Sequence, residues 1–186
     1  MNRIRTHAVA FAAITMCLAV SSAQADDTGH RRQGAHVHGI AHMTLAAEGD
    51  KVLIELTSPA ASLIGFERAP QTDEERATLA LAKENLEAGD AMIRLNLEAA
   101  CRLETAEIDA AFAEPGQSRA AEHAHADFVV RYSFVCDRPE ALGSAALGLF
   151  SGFPALERVL FQYVTAEGQG GAELTPRAPV VTFVPL

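Results

Sequence analysis

Residues 37–56 read VHGIAHMTLAAEGDKVLIEL, and two alternations meet inside them. Ala41, Met43, Leu45 and Ala47 recur at every second position, and so do Val52, Ile54 and Leu56. A period of two is the signature of a half-buried strand. Gly49-Asp50 lies between the two runs and suits a tight hairpin turn. With those two residues as the loop, Ala47 faces Val52, Leu45 faces Ile54 and Met43 faces Leu56 on one side of the ribbon. Glu48 then faces Lys51 on the other. A shift of one residue would turn every apolar side chain to the wrong face, so the pattern fixes the register.

Working outward, Ser58-Pro59 offers an N-cap and a first-turn proline for a short helical turn through about Leu63, ended by Gly65. Thr72 with Glu75 makes a capping box for a longer helix, and Asp73 and Glu74 suit its positive end. Leu79, Ala82, Leu86, Ile93 and Leu97 suggest its apolar stripe, with Gly89-Asp90 as an interruption. Residues 100–112 read as a strand and 114–119 as a loop. From His123 the alternation returns, with Phe128, Val130, Tyr132, Phe134 and Cys136 on one face. Residues 139–149 are expected to be a helix, 159–165 a strand, 168–171 a flexible turn and 179–184 a last strand. Strands in runs around one or two helices predict an α+β fold: a single domain over 36–186, mainly antiparallel sheet with one or two helices on one face.

The amino-terminal segment has its own pattern. Asn2, Arg3 and Arg5 precede an apolar run from Ala8 to Val20, and Ala23-Gln24-Ala25 supplies a small-residue cleavage site, so residues 1–25 are expected to be a secretory signal peptide. Residues 26–35 are then a flexible arm. The chain has 186 residues, is 49% hydrophobic and 21% charged, and carries a formal charge of −9. Losing the signal removes Arg3 and Arg5 and no acidic residue, which makes the charge more negative. A nucleic-acid partner or an anionic membrane surface is disfavoured. Beyond Ala25 no apolar run approaches the roughly 18 residues needed to cross a bilayer. The expected location is outside the cytoplasm, without membrane insertion after cleavage.

Cys17 falls in the signal, behind Met16, where a lipoprotein would need a small residue. Cys101 and Cys136 remain as an even pair, and an oxidising compartment favours a disulfide over two thiolate metal ligands, because neither has a C-x-x-C spacing.

Chemistry concentrates in two short clusters. His36, His38 and His42 lie on the first strand with a parity opposite to Val37, Ala41, Met43 and Leu45. His123, His125 and Asp127 share a parity opposite to Phe128, Val130 and Phe134. Both clusters are therefore predicted to face away from the core. On a strand, residues i and i+2 stand about 6.5–7 Å apart at Cβ, close enough for two imidazoles to converge on one ion. One H-x-H means little, but two in an exported domain favour a metal over incidental surface histidines. Imidazole and carboxylate without thiolate suit Zn, Ni or Cu(II). His36 and His38 are expected to form the core of the site, completed by His123, His125 or Asp127, with His30 incidental.

An enzyme is disfavoured. Ser118, Ser133, Ser144 and Ser151 lie in no nucleophile-elbow pattern, and neither an H-E-x-x-H helix nor a glycine-rich phosphate loop occurs. The competing readings are a zinc-dependent hydrolase, with Glu67 or Asp127 as base, and an interaction module whose histidines are incidental.

Taken together, residues 36–41 (HVHGIA), 58–70 (SPAASLIGFERAP), Cys101, 123–127 (HAHAD), 132–136 (YSFVC) and Leu174-Thr175-Pro176 resemble the ZrgA family of exported zinc-binding proteins of Gram-negative bacteria. The resemblance covers nearly the whole chain beyond the signal, and residues 58–70 are its most specific part. It implies a periplasmic zinc-binding accessory to an ABC-type zinc importer, with zinc ion, a periplasmic zinc-binding protein or the ABC permease as partners. The early H-x-H and the histidines before the Tyr132 strand are its implied ligands. Two departures stand out. Arg68 occupies a position where members commonly carry histidine, and the long histidine-rich insertion of many members is reduced here to His123-Ala124-His125.

Overall fold

The computed structural model describes residues 37–112 and 126–183. The proposed signal, the arm, His30, His36, His123, His125 and the expected loop at 114–119 lie outside the described residues. The hairpin forms in the expected register: β1 (Ile40–Glu48) and β2 (Lys51–Pro59) pair antiparallel, with Met43 opposite Leu56, Leu45 opposite Ile54, Ala47 opposite Val52 and Glu48 opposite Lys51. It sits at the centre of a six-stranded sheet. β4 (Cys101–Ala111) and β5 (Asp127–Cys136) extend it beyond β2, and β7 (Arg158–Thr165) and β8 (Gly168–Leu174) beyond β1, in the order β4-β5-β2-β1-β7-β8. Only the β1–β7 pairing in this sheet is parallel. The architecture is α+β and mainly antiparallel.

One face of this sheet is the core. Ala41, Met43, Leu45, Val52, Ile54, Leu56, Phe128, Val130, Tyr132, Phe134, Val159 and Phe161 are all buried, each at the inward beat of its strand. Against them lie α1 (Ala60–Ile64), α2 (Asp73–Glu87) and the single turns α3 (Gly89–Met92) and α4 (Leu149–Gly152), with a second sheet in the order β3 (Ile93–Leu95), β6 (Ser144–Leu147), β9 (Val180–Thr182). The Tyr132 hydroxyl crosses the core to donate to the Leu86 carbonyl at 2.9 Å, which ties α2 to the sheet. Burial pushes that phenol well above its ordinary range.

Three local expectations change. The apolar stripe of α2 stops at Ala82 and Leu86, because the chain turns at Gly89: Ile93 is buried on β3, and Leu97 is 88% exposed in a 3-10 turn. Residues 139–149 are not one helix. They form a 3-10 turn at Pro139–Ala141, then β6, then the start of α4. Alanine favours helix intrinsically, but strand pairing on both sides of β6 buries Ala145 and Leu147, and tertiary packing overrides propensity. Gly148 follows, and a Cβ there would collide with the Ala91 carbonyl oxygen. The glycines at 168–171 are strand rather than turn, the hairpin bend falling at Ala166-Glu167. Tyr163 lies across Gly170, where any Cβ would stand 2.6 Å from its hydroxyl.

The cysteines are bonded. Cys101 pairs with Cys136 across β4 and β5, at directly opposed positions of the ladder, and fastens edge strand β4 to the sheet.

Candidate metal centre

The site lies at the end of the sheet where β1 and β7 begin, β2 ends and β5 begins. Here the expected strand parity breaks. β1 starts at Ile40, and His38-Gly39 form a turn with Gly39 at φ +82°, a backbone conformation that favours glycine. His38 is therefore not a strand residue sharing a face with His42. The turn is clamped on three sides. The Gly39 carbonyl accepts from the Glu157 and Arg158 amides at 2.8 and 2.9 Å, and the Gly39 amide donates to the Ser62 hydroxyl at 2.9 Å.

That clamp accounts for part of residues 58–70. Ser58 is still in β2 and caps nothing: its hydroxyl is buried and turned to the Pro59 carbonyl, while Pro59 itself stands at the start of α1. The Ala60 amide then donates to the Ala126 carbonyl at 2.8 Å, binding this turn to the segment just before β5. Ser62, 1% exposed, holds Gly39. Gly65 closes α1 in the left-handed region at φ +85°, and the chain doubles back over the start of β1. Removing the Ser62 hydroxyl leaves a sheltered amide without an acceptor, so Ser62→Ala is expected to cost about 1–3 kcal/mol, seen as a lower melting midpoint. An unchanged midpoint would show that the clamp carries no weight.

Glu67 is what this return delivers. Its Oε1 lies 3.0 Å from His38 Nε2, with the carboxylate 17% and the imidazole 65% exposed. Arg68, next in the chain, is engaged elsewhere. Its guanidinium donates to both carboxylate oxygens of Glu75, at 2.6 and 2.9 Å, and lies 5.8 Å from the Phe66 ring centroid. Glu75 at the same time completes the capping box with Thr72 and accepts from the Gln71 amide. These bonds, that to Arg68 foremost, bring its carboxyl down from 4.5 to about 2. The Arg68 cation is thus consumed in fixing the entry to α2.

The other expected ligands are placed as follows. Asp127 is the first residue of β5, half-buried, in register with Pro59 on one side and Ala111 on the other. It stands at the same end of the sheet as His38, two strands away, which is about 9–10 Å between strand axes. His42 stands on the open face of β1, in register with Thr57 and Leu160, within the strand rather than at its entrance. Among the described residues, no three histidine, cysteine or acidic side chains converge closely enough to hold an ion by themselves. The histidine and carboxylate that the structure brings together at this end of the sheet are His38 and Glu67. Sequence reasoning named Glu67 only as a possible base. The available signal was its place in the segment of residues 58–70, whose role depends on a contact 29 positions away.

A cleft lined by Ala47, Val52, Pro139, Leu142, Thr165 and Glu167 lies at the opposite end of β1, by the Gly49 turn. A nine-residue strand separates it from His38 by about 25–30 Å.

No helix among the described residues is long and apolar enough to cross a membrane. No curated protein matches the sequence. The family model for the ZrgA family zinc uptake protein matches residues 35–183, from just before the His38 turn to the end of the second sheet, and the chain therefore belongs to the ZrgA family of zinc uptake proteins.

Proposed function

We propose that the protein is a periplasmic zinc carrier: it captures zinc at the His38 end of the sheet and passes it to an ABC-type importer, without catalysing a reaction. The ligands in this reading are His36 and His38, completed by His123, His125 or Asp127, with His42 a secondary contact. The observation that carries it is the His38–Glu67 pair, an imidazole beside a carboxylate, on a turn held by two backbone amides that donate to the Gly39 carbonyl and by the Ser62 hydroxyl that accepts from the Gly39 amide, at the sheet end where β5 begins two residues after His125. Hard and borderline donors of this kind suit zinc.

Exposure supports a carrier over a hydrolase. The His38 imidazole is mostly open to solvent, which suits exchange with a partner, whereas a catalytic zinc keeps an open position inside a concave site. Metal analysis of protein isolated from the periplasm, followed by zinc titration of the metal-free form, tests the reading. About one bound zinc per chain is expected, and protein that neither retains nor takes up zinc would overturn it.

Folding is expected not to depend on the ion. The buried faces of both sheets and the Cys101–Cys136 bond draw on none of the candidate ligands, unlike a closed structural zinc site whose removal unfolds the domain. Adding a chelator should leave the thermal midpoint in place apart from the ligand-linked shift. Loss of the cooperative transition on chelation would contradict this.

A further inference from the structure

The geometry points to Glu67 as a direct zinc ligand beside His38 Nε2; this rests on the reading that His38 binds zinc. Glu67 is not among the histidine-cluster residues proposed above, and its assignment comes from distance. With Zn–N of about 2.0–2.1 Å and Zn–O of about 2.0–2.2 Å, tetrahedral geometry separates two such ligand atoms by about 3.3–3.5 Å. His38 Nε2 and Glu67 Oε1 stand 3.0 Å apart, so a few tenths of an ångström of opening admits the ion between them. To bind, the imidazole must present its Nε2 lone pair, with the ring proton carried on Nδ1, and the ionised Glu67 carboxylate then faces the zinc beside it.

Both partners are held ready for this. His38 is followed by the clamped Gly39, and Glu67 lies between the Gly65 turn and Arg68, which is itself fixed by two bonds to Glu75. Because Arg68 is spent on Glu75, the neighbouring cation does not compete with zinc for the Glu67 carboxylate. The sheltered carboxylate also brings a charged oxygen beside the imidazole, and a charged oxygen binds a divalent cation more strongly than a neutral one.

Glu67→Gln separates ligation from positioning. The amide oxygen of glutamine can still accept a hydrogen bond from the imidazole, so a residue that only orients His38 tolerates the change, while a ligand does not. In the full exported chain, zinc titrations against a competing chelator should show E67Q weakened at least about tenfold. His38→Ala should weaken binding too, and the double variant should lose less than the product of the single losses, because the two groups act on one ion. Nitrogen-15 spectra of the imidazoles should show Nε2 of His38 as the metallated atom, and circular dichroism should match the parent in every variant. If H38A is impaired while E67Q binds zinc like the parent, or if zinc sits on Nδ1 of His38, Glu67 is not a ligand and the carrier reading stands without it. If H38A and E67Q both bind like the parent, the His38 reading fails as well.

Discussion

Replacing Cys101 and Cys136 with alanine is expected to lower the stability of the protein by about 3–4 kcal/mol, a fall in melting midpoint of roughly 6–16 °C for a domain of this size. The bond closes a chain separation of 35 residues between directly opposed positions of β4 and β5. In the chain-entropy account, that constraint removes open conformations from the unfolded state. It also secures the edge. β4 has a neighbour on one side only, and its inward residues Ala106, Ile108 and Ala110 are partly rather than fully buried, so packing alone holds it less firmly than β1 or β2. No candidate zinc ligand lies on β4, so zinc binding measured well below the new midpoint should be unchanged. A variant melting within a degree or two of the parent would show that the sheet, not the bond, secures this edge.

Much of the fold was legible because its decisive segments are governed by local rules. The Gly49-Asp50 hairpin, the Thr72–Glu75 capping box and the alternating face from Phe128 to Cys136 each need only near neighbours to specify them, and all three form as the pattern requires. Residues 139–149 misled because their composition is helical while their pairing partners, β3 and β9, lie far away in the chain. Gly170 misled for a similar reason: Tyr163, the residue that demands a glycine there, sits across the hairpin.

The candidate site divides along the same line. His38 stood out from its spacing, but its parity with His42 depended on an unbroken strand, and Gly39 turns the chain before β1 begins. Glu67 could not be assigned from periodicity at all, since it reaches His38 through the fold-back of residues 58–70. Ser62, inside the short helical turn expected after Pro59, is the buried acceptor that holds the Gly39 turn, a role that depends on a partner 23 positions away.

The second large effect concerns zinc itself. Replacing His36 and His38 together with alanine is expected to reduce zinc affinity by more than about 100-fold, since loss of an outer-shell partner alone commonly costs 10–100-fold and here ligands are removed outright. The fold should survive, because His38 is mostly exposed and the Gly39 turn is held through backbone groups and Ser62, not through the imidazole. In the parent, protons compete with zinc for each imidazole, so affinity should decline as pH falls, and more steeply the more histidines share the ion. Calorimetric titration of zinc into the metal-free parent and the H36A/H38A variant, side by side at neutral pH, tests the zinc site most directly. The parent is predicted to bind one zinc tightly and the variant to lose that transition while keeping its circular dichroism spectrum; a variant that titrates zinc like the parent would contradict the account.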